Sequence, residues 1–275
     1  VDEALRANLV ALEYGPVAVE LMDDNVLEAT RANREQRKNR FFVQGKPAAI
    51  LIAEFAMHSQ EEIDRRTQAM IAAMQERGMG YHYPVVKGGN IKKVWNLRKA
   101  GLGALANVPG DKKSVTVIED TSVKVERLPD YIREFQGILD GYGLQCVYHA
   151  HVGSGELHLR PMLNLKNPDE LRIFHDIARD VAALVKKYRG SLSGEHGDGR
   201  LRGQFIPMML GQQVYELLKQ VKASWDPHGL FNPGKITDTP PMTENLRYTS
   251  GRMPEVQPFF AYPEYGGFMQ ALERC

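Results

Sequence analysis

The order of hydrophobic and polar positions along this chain predicts alternating strands and helices. Four segments are predicted as strands because they are apolar or alternate between apolar and polar side chains: 48–55, 80–86, 114–118 and 144–149. Between them lie segments in which apolar residues recur every three or four positions, the spacing of a helix with one buried face. The chain is therefore predicted to mix strands and helices along its whole length.

Two of the predicted helices carry clear start and stop signals. Ser59 and Glu62 have the spacing of a capping box, and Gly78 is expected to end the helix that begins there. Another helix is predicted to begin near Pro129 and to end at Gly141. Its buried face is predicted to consist of Ile132, Phe135 and Leu139. Each helix follows a predicted strand, which is the succession expected of packed layers.

The segment 147–160 reads as two strands joined by a tight turn, and it contains three histidines. If Ser154 and Gly155 form a two-residue turn, His151 lies opposite His158, and His149 lies opposite Arg160. Opposed side chains have Cβ atoms roughly 4.5–5.5 Å apart, so two imidazoles could converge on one ion. Alternation along the strand places His149 on the same face, as a substrate-side or supporting residue. The alternative is a solvated hairpin whose histidines only cover a surface.

This hairpin decides the predicted fold class. A strand that turns directly back on itself must pair antiparallel, whereas a doubly wound sheet needs helical crossovers between parallel strands. We therefore predict an α+β fold of ferredoxin-like units, with a largely antiparallel sheet flanked by helices.

A glycine-rich segment, 191–200, offers a second set of reactive side chains. Its glycines permit tight turns, so the neighbouring Glu195 and His196 can project in different directions. Two histidines and one glutamate form an open ligand set that suits Zn²⁺, Fe²⁺ or Mn²⁺. The alternative is a flexible loop that carries an acid and a base by chance.

Composition limits the partners to be considered. The 275 residues include 35 Lys and Arg against 34 Asp and Glu, a formal charge of +1. Nothing in this balance calls for nucleic acid, so a small molecule is the expected partner. The two cysteines do not form a disulfide framework, which fits a reducing compartment. A glycine pattern at 101–106 matches the dinucleotide fingerprint, but it follows a helix-like segment and is rejected.

Several motifs resemble those of one known family. Residues 151–158 resemble the His-x-Gly-Asp-Gly-Asn-x-His motif in the C-terminal domain of FAD-linked oxidases, which include glycolate oxidase, D-lactate dehydrogenase and D-2-hydroxyglutarate dehydrogenase. Residues 193–197 resemble the second signature of that domain, and residues 225–236 resemble its closing segment. The segment 119–129 is also similar. The resemblance covers residues from about 47 to 236 in order.

The resemblance implies roles for individual residues. It makes His151, His158 and Glu195 the metal ligands, and His196 the base that removes the substrate's hydroxyl proton. It further implies that Arg98 holds the substrate carboxylate and that Asn232 contacts the flavin. Arg160 is expected to help Arg98 orient that carboxylate. Arg98 could instead be an ordinary helix arginine, and Asn232 an ordinary Asn-Pro turn residue.

The chain also departs from the family motif. Ser154 and Glu156 replace the motif's Asp and Asn, and Arg160 stands where some relatives have Asn. Ile118 stands where the family has a lysine before the position of Asp120.

The sequence is expected to be a piece of a longer protein, because it begins at Val1 and ends at Cys275. Three parts are predicted: a lead-in segment at 1–46, the FAD-linked oxidase domain at 47–236, and a tail at 237–275. The tail resembles that of long fused members, so Cys275 is expected to begin an iron–sulfur region with 4Fe–4S clusters. FAD is expected to be held mainly by a missing N-terminal domain.

The predicted function is oxidation of a D-2-hydroxy acid with hydride transfer to FAD, as the substrate-binding part of a flavoprotein that is inactive on its own. The predicted partners are the substrate, the protein's own flavin and iron–sulfur domains, and a second copy in a homodimer. The expected location is the cytoplasm, with peripheral attachment to the inner face of the membrane as an alternative. Two other functions stay open: a metal-dependent hydrolase and a non-catalytic assembly module.

Overall fold

The computed structural model describes residues 1–31, 33–106, 110–246 and 257–273. Within these ranges the chain forms six β-strands and ten α-helices. The strands are β1 (Ala18–Asp23), β2 (Ala49–Glu54), β3 (Lys113–Ser114), β4 (Thr121–Ser122), β5 (Cys146–His151) and β6 (Glu156–Leu163). The helices are α1 (Asp2–Leu12), α2 (Asp24–Arg31), α3 (Arg34–Arg37), α4 (Gln60–Glu76), α5 (Ile91–Ala106), α6 (Leu128–Tyr142), α7 (Pro168–Lys187), α8 (Ile206–Leu210), α9 (Gln212–Trp225) and α10 (Phe268–Leu272).

The strands form one sheet in the order β2-β1-β5-β6-β3, and β4 also pairs with β6. Each of these pairings is antiparallel. The predicted α+β class with a largely antiparallel sheet is therefore confirmed. Strand β1 comes from the first 46 residues, yet it lies between β2 and β5. The division of the chain into three parts stays a prediction.

Helices cover both faces of the sheet, and each face has its own hydrophobic core. The larger core joins side chains of α1, α6 and α7 to alternate residues of β1, β5 and β6. The smaller core joins α2 and α5 to the opposite face, where it includes Met22 of β1 and Val147 of β5. Glu20, His149 and His151 share that second face, because they lie two or four positions from these residues.

Local signals in the sequence account for the helix boundaries. The Ser59 side chain accepts a hydrogen bond from the Glu62 amide and caps α4, as predicted. Gly78, with φ +65°, follows the end of this helix. Helix α6 carries its predicted buried face, but it ends at Gly143 in the left-handed conformation, two residues later than expected.

Two predicted strands are wrong. Residues 80–86 form no strand; there the Tyr81 hydroxyl donates to the Gln44 carbonyl at 2.7 Å and anchors an irregular segment. Of residues 114–118, only Ser114 belongs to a strand paired with β6, and the Val115 amide donates one further hydrogen bond of 2.9 Å to the Pro161 carbonyl of β6. Val115 and Val117 are buried in the core outside the paired strand, which produces the same alternation in sequence.

The rejected glycine pattern at 101–106 lies within α5, which confirms the rejection. A Cβ atom at Gly101 would meet Val26 of α2 at 2.3 Å, so this glycine permits close helix packing. No helix among the described residues combines the length and apolar character needed to cross a bilayer.

Candidate metal and substrate site

The histidine hairpin exists, but its register differs from the predicted one. His149 lies opposite His158, and His151 lies opposite Glu156, whereas His151 was expected to face His158 and His149 to face Arg160. A four-residue connection, 152–155, replaces the expected two-residue turn. The pairing therefore shifts by two residues. Because strand side chains alternate with a period of two, the shift leaves all three histidines on one face.

Two residues of the connection explain the longer turn. The Val152 side chain is fully buried in the larger core, and its carbonyl accepts a hydrogen bond of 3.0 Å from Asn8. Gly155 has φ +83°, and a Cβ atom there would lie 2.1 Å from the Val123 carbonyl oxygen. Only glycine tolerates both this positive φ and this close approach to Val123. The turn is therefore fixed by Gly155 on one side and by the buried Val152 on the other.

The glycine-rich loop is held against the hairpin by Asp120, which is fully buried. One carboxylate oxygen accepts from the Glu195 amide at 2.9 Å, and the other accepts from the His196 amide at 3.1 Å and from the Ser193 hydroxyl. Burial alone would raise the pKa of Asp120, but these hydrogen bonds, led by that from Ser193, lower it to about 2. Asp120 thereby fixes where Glu195 and His196 project.

Hairpin and loop bring the three predicted ligands together. His151 Nε2 and His158 Nε2 each lie 3.6 Å from Glu195 Oε1. The donor atoms of all three side chains lie within 4.8 Å of one another. Ligand atoms about 2.1 Å from one ion are about 3.0–3.4 Å apart, so a small movement of the half-exposed Glu195 closes the set. Two imidazoles and one carboxylate fit Zn²⁺, Mn²⁺ or Fe²⁺.

His158 and His149 are buried in a state that favours the neutral ring. Burial lowers the pKa of His158 to about 3 and that of His149 to about 2, and nearby positive charges add to both shifts. A neutral imidazole is the form that binds a metal ion. Both ring nitrogens of His149, and Nδ1 of His158, have no hydrogen-bond partner among the described residues. His149 therefore lies beside the cluster, and its predicted substrate role stays a prediction.

A buried glutamate on β1, Glu20, contacts the ring nitrogen of His151 that faces away from the cluster. Its Oε1 lies 2.8 Å from His151 Nδ1, and its Oε2 accepts a hydrogen bond of 2.8 Å from Arg98 Nε. The hydrogen bond that His151 donates to Glu20 raises the pKa of His151. A carboxylate at Nδ1 holds the ring so that Nε2 faces the cluster, which is the usual support of a metal-binding histidine.

His196, the predicted base, lies at the open side of the cluster. Its ring stacks on His158 with centroids 5.3 Å apart, and its Nε2 lies 3.2 Å from Glu195 Oε1. About half of its side chain is exposed. His196 also lines a cavity of about 420 Å³ together with Glu119 and Arg202, a volume sufficient for a small acid.

The remaining predicted residues have other immediate neighbours. Arg98 is buried against Glu20, with its Nη2 3.3 Å from His151 Nδ1. Arg160 donates a hydrogen bond of 2.6 Å to buried Glu119. Asn232 lies exposed in the loop after α9 with φ +50°. The substrate and flavin contacts assigned to these three residues stay predictions, and Cys275 lies outside the described residues.

Sequence reasoning assigned no role to two residues that organise the site, Glu20 and Asp120. Glu20 is the single charged side chain within the apolar run 16–22, and a charge inside a buried strand requires a partner. That signal could have indicated its pairing with Arg98. Asp120 lies in a segment that was recognised as similar to the family, but only the folded chain brings it beneath the second loop.

Comparison with known proteins identifies the family. The profile of the family described as "FAD linked oxidases, C-terminal domain" matches residues 1–236. D-2-hydroxyglutarate dehydrogenase of Pantoea ananatis is 35% identical over 86% of this chain, and the match covers 24% of the relative. Glycolate oxidase subunit GlcD of Bacillus subtilis is 27% identical over 50% of this chain and 29% of its own length. The chain thus spans about a quarter of the length of the first of these relatives.

A solved structure with low sequence identity shares the fold. The 4-ethylphenol oxidase of Gulosibacter chungangensis superposes with a TM-score of 0.58 at 13% identity, over 87% of this chain and 52% of the other. Since the family profile matches most of the chain, the chain belongs to the FAD-linked oxidase C-terminal domain family.

Proposed function

We propose that this chain is the substrate-binding and proton-removing part of a flavin-dependent dehydrogenase that oxidises D-2-hydroxy acids. The convergence of His151, His158 and Glu195 beside His196 carries the proposal. The names of the relatives support it, because glycolate and 2-hydroxyglutarate share a hydroxyl group next to a carboxylate. A divalent ion at the three ligands would supply Lewis-acid polarisation of these substrate oxygens, and FAD would supply the hydride acceptor.

The base of the reaction is His196. A general base must reach the proton it removes, and His196 borders both the ligand cluster and the cavity of about 420 Å³. The stacked His158 ring and the Glu195 carboxylate hold the imidazole at the mouth of the site. In this role a His196 nitrogen accepts the proton of the substrate hydroxyl group, and the hydride of the α-carbon would pass to FAD.

The substrate carboxylate is oriented by Arg98 and Arg160, whose forked donors suit a planar anion. Both guanidinium groups lie on the histidine face of the sheet, and each is balanced by a buried carboxylate, Glu20 or Glu119. In this proposal, each arginine contacts the substrate with the N–H groups that its glutamate does not use. His149 packs against His158, at a ring-centroid distance of 5.2 Å, and borders the bound acid.

The flavin belongs to another part of the protein in this proposal. No glycine-rich turn between a strand and a helix, the usual pyrophosphate site, occurs in the described ranges. Exposed apolar side chains on α9 and in the loop after it support docking of the flavin domain there: Leu217, Val221, Trp225, Leu230 and Phe231. Asn232 lies in the same loop. The proposal also includes an iron–sulfur region elsewhere in the protein, a homodimer and a cytoplasmic location.

Substrate binding to the metal-loaded chain tests the proposed function. We expect D-2-hydroxyglutarate or D-lactate to bind, by calorimetry, only after Mn²⁺ is added, and His158→Ala to abolish this metal-dependent binding. The chain by itself should bind FAD weakly and should not reduce dyes. Substrate binding that ignores the metal, or stoichiometric flavin with dye reduction by this chain alone, would contradict the proposal. Ester or amide cleavage without flavin would instead favour the hydrolase, and absence of metal would favour the assembly module.

A further inference from the structure

A fourth carboxylate lies against the ligand cluster, that of Glu156. It begins β6 directly opposite His151, and its Oε1 lies 3.7 Å from His158 Nε2. Only 7% of the residue is exposed, and Oε1 has no hydrogen-bond partner among the described residues. A buried carboxyl oxygen without a partner is costly unless it serves a ligand.

The orientation of Glu156 is fixed from two sides. Its carboxyl group donates a hydrogen bond to that of Asp120, so Glu156 holds the shared proton until an ion displaces it. A Cβ atom at Gly194 would come within 2.8 Å of Glu156 Cγ and 3.0 Å of Cδ. Because glycine has no Cβ atom, the loop can pack directly against Glu156, with Oε1 3.7 Å from His158 Nε2.

We propose that Glu156 is a fourth protein ligand of the ion, together with His151, His158 and Glu195. The inference rests on the proposed function, because it concerns the same ion. Oε1 of Glu156 and Oε1 of Glu195 are almost equally far from His158 Nε2, at 3.7 and 3.6 Å. The donor atoms of Glu156 lie within 4.8 Å of those of His158 and Asp120, a group that meets the three-ligand group at His158, so the inward movement of Glu195 that closes the three-ligand set has to bring Glu156 into it as well. The Asn of the resembled motif is replaced here by a residue that brings a negative charge and a longer reach.

The fourth ligand determines which ions leave room for substrate. Four protein donors close the coordination of tetrahedral Zn²⁺, whereas a six-coordinate ion such as Mn²⁺ or Fe²⁺ keeps two positions. Two positions are what the hydroxyl and carboxylate oxygens of a 2-hydroxy acid need. The site of this chain is therefore specific for six-coordinate ions.

The test uses Mn²⁺ alone with the metal-free 275-residue chain, its Glu156→Gln variant and the control Asp198→Asn. Asp198 is a half-buried acid of the same loop for which the structure shows no contact with the three histidines, so its variant removes an equal charge without a proposed ligand. Calorimetry gives the affinity, and water-proton relaxation gives the number of waters on bound Mn²⁺. Circular dichroism checks folding, and Glu156→Asn replaces the glutamine variant if that variant does not fold.

We expect Glu156→Gln to weaken Mn²⁺ binding at least tenfold and to raise the number of bound waters from about two to about three. Asp198→Asn should change the affinity less than threefold. Unchanged affinity and hydration in Glu156→Gln overturn the fourth ligand but leave the three-ligand site intact. If Glu156→Gln and Asp198→Asn weaken Mn²⁺ binding equally and neither adds a bound water, Glu156 acts only through its charge. That result also overturns the fourth ligand. Failure of the unaltered chain to bind Mn²⁺ overturns this inference and the proposed metal site together.

Discussion

Replacement of Glu20 by glutamine tests how β1 supports the site. Glu20 is 5% exposed and forms a buried ion pair with Arg98, with Oε2 2.5 Å from Arg98 Nη2. The substitution keeps the size of the side chain but removes its charge. Arg98, itself 8% exposed, then remains buried without a counter-charge. His151 loses the carboxylate that orients its ring.

The expected effect on stability is large because the charge left behind cannot reach water. Removal of one partner from a buried pair costs about 3–5 kcal/mol, and the glutamine carbonyl still accepts one hydrogen bond, so we expect about 3 kcal/mol. Metal affinity should fall by about tenfold to a hundredfold, the range measured when the support of a metal-binding histidine is removed. The two effects have one structural cause but separate measurements.

Urea denaturation of the metal-free protein in EDTA measures the stability, and titration with Mn²⁺ measures the affinity. Glu62→Gln is the matched control, because Glu62 pairs with Arg66 at 2.8 Å on α4, where about a third of each side chain is exposed. That variant should lose no more than about 0.5 kcal/mol. A double variant, Glu20→Leu with Arg98→Met, should regain most of the stability but not the affinity. A loss below about 1 kcal/mol in Glu20→Gln would refute the buried-pair reasoning.

Three further predictions concern the ligands, the loop anchor and the turn. His151→Ala should remove bound metal in elemental analysis, whereas His175→Ala on α7 should retain it; equal metal content would contradict the ligand set. The folded pKa of Asp120, about 2, lies below its ordinary value of 3.8, so its contribution of about 2 kcal/mol is complete above pH 3.8 and lost as the pH falls through 2. The difference in unfolding free energy between the unaltered chain and Asp120→Asn should therefore shrink below pH 3.8, and a pH-independent difference would contradict this. Gly155→Ala should destabilise the chain by about 2 kcal/mol or more in urea, because its Cβ atom would lie 2.1 Å from a carbonyl oxygen, and an unchanged midpoint would refute the pinned turn.

The sequence predicted the shared face of the histidines better than it predicted their partners. Strand side chains alternate with a period of two, so a shift of two residues in the pairing keeps each side chain on its predicted face. The turn is longer than predicted, so His151 pairs with Glu156 and not with His158, but it remains on the histidine face. The turn length depends on the burial of Val152 and on the contact of Gly155 with Val123. Both are contacts between distant parts of the chain, which local turn rules do not include.

An alternating apolar pattern in the sequence also does not show whether its residues are paired in a strand or only buried in the core. Val115 and Val117 alternate like strand residues because they enter the core, yet the strand itself ends at Ser114 and only the Val115 amide adds one more hydrogen bond to β6. The two histidines and the glutamate of the site could be predicted from their spacing and from the resemblance. The supporting carboxylates could not, since Glu20 and Asp120 reach the cluster from segments that are 131 and 75 residues away from the groups they contact.

The position of β1 affects how this domain can be shortened for expression. A version that starts at residue 47 would leave the edges of β2 and β5 unpaired where β1 now joins them, and unpaired edges promote aggregation. It would also leave Arg98 buried without its counter-ion. A soluble, metal-competent version therefore has to include β1, and limited proteolysis should spare this N-terminal strand while it cuts exposed loops.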